Sequence, residues 1–287
     1  MKVGLIGTGL MGLSMVTRAI DAGLEVSVFN RTKAKLEPLS ETKAIICDSP
    51  SDVCKNSDII ILMLTDAKAI HEVILAENNA DMLSGKTFVQ MATIAPAESK
   101  EIQRKIVDAG GDYFEAPVLG SIPQVQSGTL IVMVGATEDQ FQKWLSLLQI
   151  FSPDPILVGE VGQAAATKLA MNQLIGSLTA AFSASLGLVM KSDVGIEIFM
   201  KIVRNSALYA PTYDKKLDKM LQRDFGGANF STKHLLKDMK LFEKEASALG
   251  LNISGVQGVT KIVEDTCNTG LSEADYSSLF SAVNPES

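Results

Sequence analysis

The sequence predicts an α/β fold in two parts. Residues 1–161 should form a domain on a mostly parallel sheet, and residues 162–287 an all-helical C-terminal domain entered through a long interdomain helix. Three observations carry this expectation. Short apolar runs alternate with helical patterns through the first half, as a parallel sheet requires. Strand signals stop after Gly162. And 287 residues is more than one compact core usually holds.

Taken in order, the apolar runs are 2–6, 25–29, 44–46, 59–64, 87–91, 112–116, 130–134 and 155–158. Helical patterns such as 13–22, 67–77 and 96–109 separate them. Gly23, Gly85 and the pair Gly110-Gly111 stand where helices should stop. The second half reads as helices at 164–190, 196–204, 214–221, 232–248 and 254–268. Residues 169–190 carry no charge and are long enough to span a bilayer. Asn172, Gln173, Ser177, Thr179, Ser183 and Ser185 are spread along them, which suits a helix buried in protein.

Composition excludes several classes. A hydrophobic fraction of 46% is incompatible with whole-chain disorder. The net charge is −7 with Lys and Arg scattered, so no nucleic-acid partner is expected. Cys47, Cys54 and Cys267 form no Cys-x-x-Cys pair and read as reduced thiols, not as a disulfide framework or zinc site. No basic-then-apolar leader opens the sequence, so a cytoplasmic protein without a membrane anchor is expected.

The densest signal is LIGTGLMG at 5–12. A strand pattern leads into Gly7-x-Gly9-x-x-Gly12 and an amphipathic helix pattern follows. This is the Rossmann context. Gly7 makes the turn, Gly9 admits a pyrophosphate to the backbone, and Gly12 lets helix pack on strand. The helix N-terminus then offers unpaired N–H groups and its positive dipole end. Thr8, Leu10 and Met11 belong to the same loop, and Met63, Leu64 and Thr65 should line the cleft at the end of the fourth strand. The second strand ends in Asn30-Arg31-Thr32, where an NAD site places an acid for the ribose 2′-hydroxyl. Arg31 can instead grip a 2′-phosphate bidentately, Thr32 can donate a hydroxyl, and Lys35 adds charge. The expected cofactor is therefore NADP(H), with NAD(H) possible. Arg31 as a plain solvated residue at a helix start is the alternative.

On these and four further motifs the chain resembles the β-hydroxyacid dehydrogenase family. FEAPVLGSIPQVQSGTL (114–130) is similar to the family's substrate signature, and GEVGQAAATKLAMNQ (159–173) to its catalytic helix. FSTKHLLKDMKL (230–241) is similar to its lysine–aspartate motif, and EADYSS (273–278) to its acidic–aromatic–serine tail. The Glu115-Ala116-Pro117-Val118 start and the Lys233-His234 pair lean toward the glyoxylate/succinic semialdehyde reductase branch. Four residues depart from the family pattern: Leu119 stands where a Ser is usual, Ala92 replaces Ser before Thr93, Ala164 replaces a Gly, and Gln90 replaces an Asp.

The resemblance implies hydride transfer between nicotinamide and a small aldehyde acid or hydroxyacid. Lys168 would act as general acid/base, with Asn172 on the same helical face, one turn on, orienting it and the substrate. Apolar neighbours and a cationic nicotinamide would both lower the pKa of such a lysine. From spacing alone, Lys168 reads equally well as a snorkelling lysine at a domain edge with a polar neighbour by chance. Thr93, Gly120 and Ser121 would meet substrate, although Thr93 also suits a turn before Pro96 and Gly120-Ser121 a turn before Pro123. Phe230 and Lys237 would reach the cofactor, with Asp238 orienting Lys237. By charge pattern alone, the last two form an ordinary solvated helix face. His71 and His234 are weak candidates for proton transfer, and no cluster has metal-ligand spacing. Oxidation of 3-hydroxyisobutyrate or L-serine is a second reading, a non-catalytic dinucleotide sensor a third. Imine reduction also occurs on this architecture, but Lys168 argues against it. The long apolar helix suggests a homodimer or homotetramer.

Overall fold

The computed structural model describes residues 1–76 and 80–286. It divides into two compact units, Met1–Leu169 and Ala170–Ser287.

The first unit holds a nine-stranded sheet among the described residues. The strands are β1 (Lys2–Ile6), β2 (Glu25–Phe29), β3 (Ile45–Ile46), β4 (Ile59–Leu62), β5 (Thr87–Gln90), β6 (Asp112–Glu115), β7 (Val118–Leu119), β8 (Ile131–Gly135) and β9 (Ile156–Gly159). Their order is β3-β2-β1-β4-β5-β6-β8-β7, with β9 on β8. From β3 to β6 every pairing is parallel. β8 runs antiparallel to β6 and β7. The two-residue β7 is absent from the hydrophobic pattern because it is too short to alternate.

β1, β2, β4 and β5 are buried on both faces because helices cover both, while the edge strand β3 is exposed. On one side α1 (Leu10–Asp21) buries Met15, Val16 and Ala19 against Leu5, Val26, Val28 and Val89. On the other, α2 (Pro50–Asn56) and α5 (Pro96–Asp108) bury Val53, Ile102 and Ile106 against Ile60, Leu62 and Phe88. Ser49 caps α2 by accepting from the Asp52 N–H, with Pro50 at the first helical position. The pattern at 67–77 is α3 (Ala67–Val73), capped by Asp66; its predicted end at 77 lies outside the described residues. The structure adds α4 (Ala80–Leu83), α6 (Ile122–Ser127) and α7 (Glu138–Leu148).

Helix α8 (Gln163–Lys191) runs from the first unit into the second. The second unit continues with α9 (Ile196–Arg204), α10 (Pro211–Gln222), α11 (Thr232–Ala248), α12 (Ser254–Thr266) and α13 (Leu279–Val283). Phe182 and Leu186 of α8 pack with Met200, Leu217, Met220 and Phe280. Ala180 joins Leu235, Met239, Val263 and Leu279. By length and composition α8 could cross a membrane, with a mean hydropathy of 1.5 over its most apolar window. The sequence predicts a helix buried in protein, not a membrane span. The chain itself buries only 39% of that window, because Leu174, Leu188 and Met190 lie on its outward side.

Candidate active site

β1 lies between β2 and β4, which leave it in opposite directions across the sheet, so the strand order reverses there. Open α/β sheets bind ligands at the carboxyl ends of the strands at such a reversal. Three loops meet at this point. The Gly7 N–H donates to Phe29 O at the end of β2 (3.0 Å), and the Met63 N–H donates to Ile6 O at the end of β1 (3.0 Å).

The glycines have distinct jobs. Gly7 has φ +105°, and a Cβ there would lie 2.3 Å from Met63 O. A Cβ on Gly12 would lie 2.0 Å from Gly7 O, so the first turn of α1 packs directly on the loop. At Gly9 a Cβ would meet nothing within 4 Å. Gly9 caps α1 without a side-chain hydrogen bond, and no acid stands in the first turn. An open space in front of a helix N-terminus free of side-chain caps and acids fits a dinucleotide pyrophosphate. Leu10 is exposed at this helix start, while Met11 packs on the core.

A small cavity of about 110 Å³ is lined by Gly7, Asn30, Arg31, Thr32, Lys35, Leu64 and Thr65. A larger one, about 380 Å³, shares Asn30 and Arg31 and is bounded by Lys33, Leu36, Cys47 and Asp48. Asn30 organises the loops: its Oδ1 accepts from the Thr8 N–H (3.1 Å) and its Nδ2 donates to Thr32 O (3.0 Å). The Thr8 hydroxyl donates to Lys35 O, so Thr8 is buried framework whose donors are used inside the protein. The Arg31 guanidinium is largely exposed and lies 3.3 Å from Glu72 of α3. Thr32 precedes a 3-10 helix (Lys33–Leu39) without a side-chain cap bond.

The half-buried Thr93 follows β5 at the same edge of the sheet. Gly120 is exposed with φ +136°. The Ser121 N–H and Oγ both donate to Gln124 Oε1, at 2.9 and 2.8 Å. The two donors expected to hold a carboxylate are thus engaged by Gln124, a residue that reading the sequence for site residues passed over. The Ser-x-x-Gln capping box at 121–124 is the signal that finds it. Leu119 lies in β7 opposite Ile131. Gln90 is buried with its Oε1 unpaired, and Ala92 is buried beside it in sequence.

Lys168 and Asn172 stand one turn apart on α8 and both are buried; Lys168 is 8% exposed. A lysine this buried is not a solvated surface residue. Within the second unit, the Asn172 Nδ2 donates to Asp238 Oδ2 at 2.6 Å, and Lys237 Nζ lies 3.0 Å from Asp238 Oδ1. Asp238 therefore ties α8 to α11 and orients two candidate site residues together. With its amide nitrogen committed, Asn172 is left with Oδ1, a buried acceptor without a hydrogen-bond partner. An acceptor suits a hydroxyl or ammonium group better than a carboxylate. Phe230 is half-buried, edge-on to Tyr276. His234 Nδ1 lies 2.8 Å from the Ser231 Oγ; burial, then Lys233 and Lys237, push its pKa below the usual histidine value. His71 is half-exposed on α3. No group of three or more His, Cys, Asp or Glu among the described residues could hold a metal ion.

A sheet of dinucleotide-binding architecture, followed by a helix that carries a buried lysine in its second turn, points to a class: oxidoreductases that exchange hydride with nicotinamide cofactors. Residues 2–161 match the family described as the NAD-binding domain of 6-phosphogluconate dehydrogenase. Residues 162–283 match that described as NAD-binding of NADP-dependent 3-hydroxyisobutyrate dehydrogenase. The chain is 31% identical to glyoxylate/succinic semialdehyde reductase 2, chloroplastic, of Arabidopsis thaliana, over 98% of this chain and 79% of that protein. It is also 31% identical to the 2-hydroxy-3-oxopropionate reductase of Escherichia coli K12, covering 99% and 97% of the two chains. The Mycobacterium tuberculosis 3-hydroxyisobutyrate dehydrogenase solved with L-serine superposes with a TM-score of 0.87, over 97% of both chains at 18% identity, a likeness of fold. The chain belongs to the β-hydroxyacid dehydrogenase family and is an NAD(P)-dependent oxidoreductase acting on CH–OH groups.

Proposed function

We propose that the chain is an NADPH-dependent reductase of small aldehyde acids, of the glyoxylate and succinic semialdehyde class. The observation that carries this reading is the buried Lys168 with Asn172 one turn on, in a family whose relatives over nearly the whole chain include reductases named for these substrates. The bound cofactor supplies the hydride. Lys168 donates a proton to the oxygen that becomes the hydroxyl, and in the reverse direction removes it. Asn172, held by Asp238, offers Oδ1 to that hydroxyl or to the lysine ammonium. Gly120 and Ser121 take the substrate carboxylate, which requires Ser121 to exchange Gln124 for substrate. Gly7, Gly9, Gly12 and the N-terminus of α1 hold the pyrophosphate. Arg31, Thr32 and Lys35 hold the 2′-phosphate, and Phe230 and Lys237 contact the nicotinamide end.

NADPH oxidation with glyoxylate and succinic semialdehyde, beside 3-hydroxyisobutyrate and L-serine oxidation with NADP and NAD, tests the assignment. Turnover of the hydroxyacids alone would replace it with the dehydrogenase reading. A Lys168→Ala variant with the full rate would refute the proton-transfer role. We also propose that the active species is a homo-oligomer of a cytoplasmic protein. Leu174 and Leu188 of α8 and Ile198 and Ile202 of α9 are exposed, and a second copy would cover them. Light scattering that finds only a monomer would refute this.

A further inference from the structure

Glu115 is the last residue of β6 and is completely buried. Its Oε1 accepts from the Gly162 N–H at 2.8 Å and the Ala165 N–H at 2.9 Å, both at the start of α8. Its Oε2 accepts from the buried Ser99 hydroxyl, which in turn lies 2.8 Å from the Tyr113 hydroxyl. A buried carboxylate is costly unless its oxygens are bonded. Here three donors and the positive end of a 29-residue helix meet it. The surroundings are shaped for it. Gly135 stands opposite Glu115 in the β6–β8 pairing, and a Cβ there would lie 2.6 Å from Oε1. Gly162 has φ +100°, a conformation in which its N–H reaches the carboxylate.

We propose that Glu115 is a positioning residue for Lys168: its carboxylate fixes the first turn of α8 to the carboxyl end of β6, and so sets where the lysine, three residues beyond Ala165, is presented. Burial raises the pKa of Glu115 and the three donors oppose that rise, so the group is tuned by the contacts that anchor the helix. This inference rests on Lys168 being the proton donor. A shift of about 1 Å in a reacting group lowers turnover by about 100-fold, and loss of the anchor releases the helix start to move by that order.

The test compares Glu115→Ala, Glu115→Gln, Gly135→Ala and Lys168→Ala in the full chain. Readouts are kcat and KM with succinic semialdehyde, the Kd of NADPH, and amide hydrogen exchange at Gly162 and Ala165. In Glu115→Ala and Gly135→Ala, kcat should fall by about 100-fold, with the Kd of NADPH unchanged and both amides exchanging faster. Glu115→Gln retains the Oε1 acceptor for the two α8 amides, loses charge assistance, and puts an amide N–H where Oε2 accepts from Ser99, whose hydroxyl must turn to accept, so it should keep kcat within about tenfold. Should Glu115→Ala fail to fold, Gly135→Ala and Glu115→Gln decide the matter. Unchanged kcat in Gly135→Ala or in folded Glu115→Ala overturns the inference, as does Glu115→Gln falling as far as Glu115→Ala. If Lys168→Ala keeps full turnover, the reading of Lys168 itself fails. If Lys168→Ala is inactive while the Glu115 variants turn over normally, only the positioning role fails.

Discussion

On the proposed NADPH reading, Arg31→Ala should separate the two nicotinamide cofactors. Arg31 follows β2 with no acid at Asn30 or Thr32, so a 2′-phosphate meets a guanidinium and no carboxylate from that strand end. A hydrogen bond to a charged group contributes about 1.5–3 kcal/mol, so losing it should weaken NADPH binding by about 10- to 150-fold. One cost offsets this gain in the unaltered protein. Arg31 lies 3.3 Å from Glu72, whose side chain is itself half-exposed, and a bound phosphate competes with that carboxylate. An exposed ion pair contributes only about 0–1 kcal/mol, so the phosphate wins, and Glu72→Ala should tighten NADPH by at most about fivefold. Fluorescence titration of NADPH and NADH at two salt concentrations reads both effects. Arg31→Ala should leave NADH unchanged and flatten the salt dependence of NADPH. An unchanged ratio of the two dissociation constants in Arg31→Ala, or an equal loss for both cofactors, would refute the assignment of Arg31 to the 2′-phosphate.

Other outcomes follow from single contacts. Gly9→Ala should fold with unchanged stability, since its Cβ meets nothing within 4 Å, yet weaken cofactor binding; Gly12→Ala, with a Cβ 2.0 Å from Gly7 O, should also lose about 1–3 kcal/mol of stability in urea denaturation. Asp238→Ala strands the Asn172 amide nitrogen and should cost about 1–3 kcal/mol, with a fall in kcat that Asp238→Asn partly restores. Glu115 has a folded-state pKa above its ordinary 4.5, so its contribution to stability is fully present below that pH and is lost as pH rises through the folded value. Urea midpoints across that range should therefore decline in the unaltered protein relative to Glu115→Gln, and parallel profiles would count against the shift.

Much of the first unit was legible because its signals are local. A strand, a Gly-rich turn and a helix within 20 residues are written in consecutive side chains, and β1 and β2 lie where hydrophobicity places them, while α1 begins about one turn before the pattern at 13–22, at Leu10 within the glycine loop. The edge of the sheet was less so. β7 has two residues, follows β6 after only Ala116-Pro117, and pairs antiparallel to β8, so nothing in the run separates it from the loop; β3, equally short, stands out only because its two residues are both Ile. Site chemistry divides the same way. Lys168 and Asn172 are visible as a pair on one helical face. The hydrogen-bond state of each candidate is not visible, since it depends on partners far along the chain. Ser121 looks like a free hydroxyl until Gln124 takes its donors, and Thr8 looks like a phosphate contact until Asn30 and Lys35 account for it.

Glu115 is the sharpest case of this separation. In the sequence it is an acid at the end of an apolar run, and the bland expectation is a solvated strand end. Its donors come from residues 47 and 50 positions downstream and 16 upstream. The α5 crossover between β5 and β6, which carries Ser99, and the start of α8 bring them together. A carboxylate in that place costs more than an apolar residue unless something depends on where the helix begins. The helix carries Lys168 in its second turn. The energetic cost of the buried acid and the position of the lysine are therefore two aspects of one constraint, and the amide exchange of Gly162 and Ala165 measures it directly.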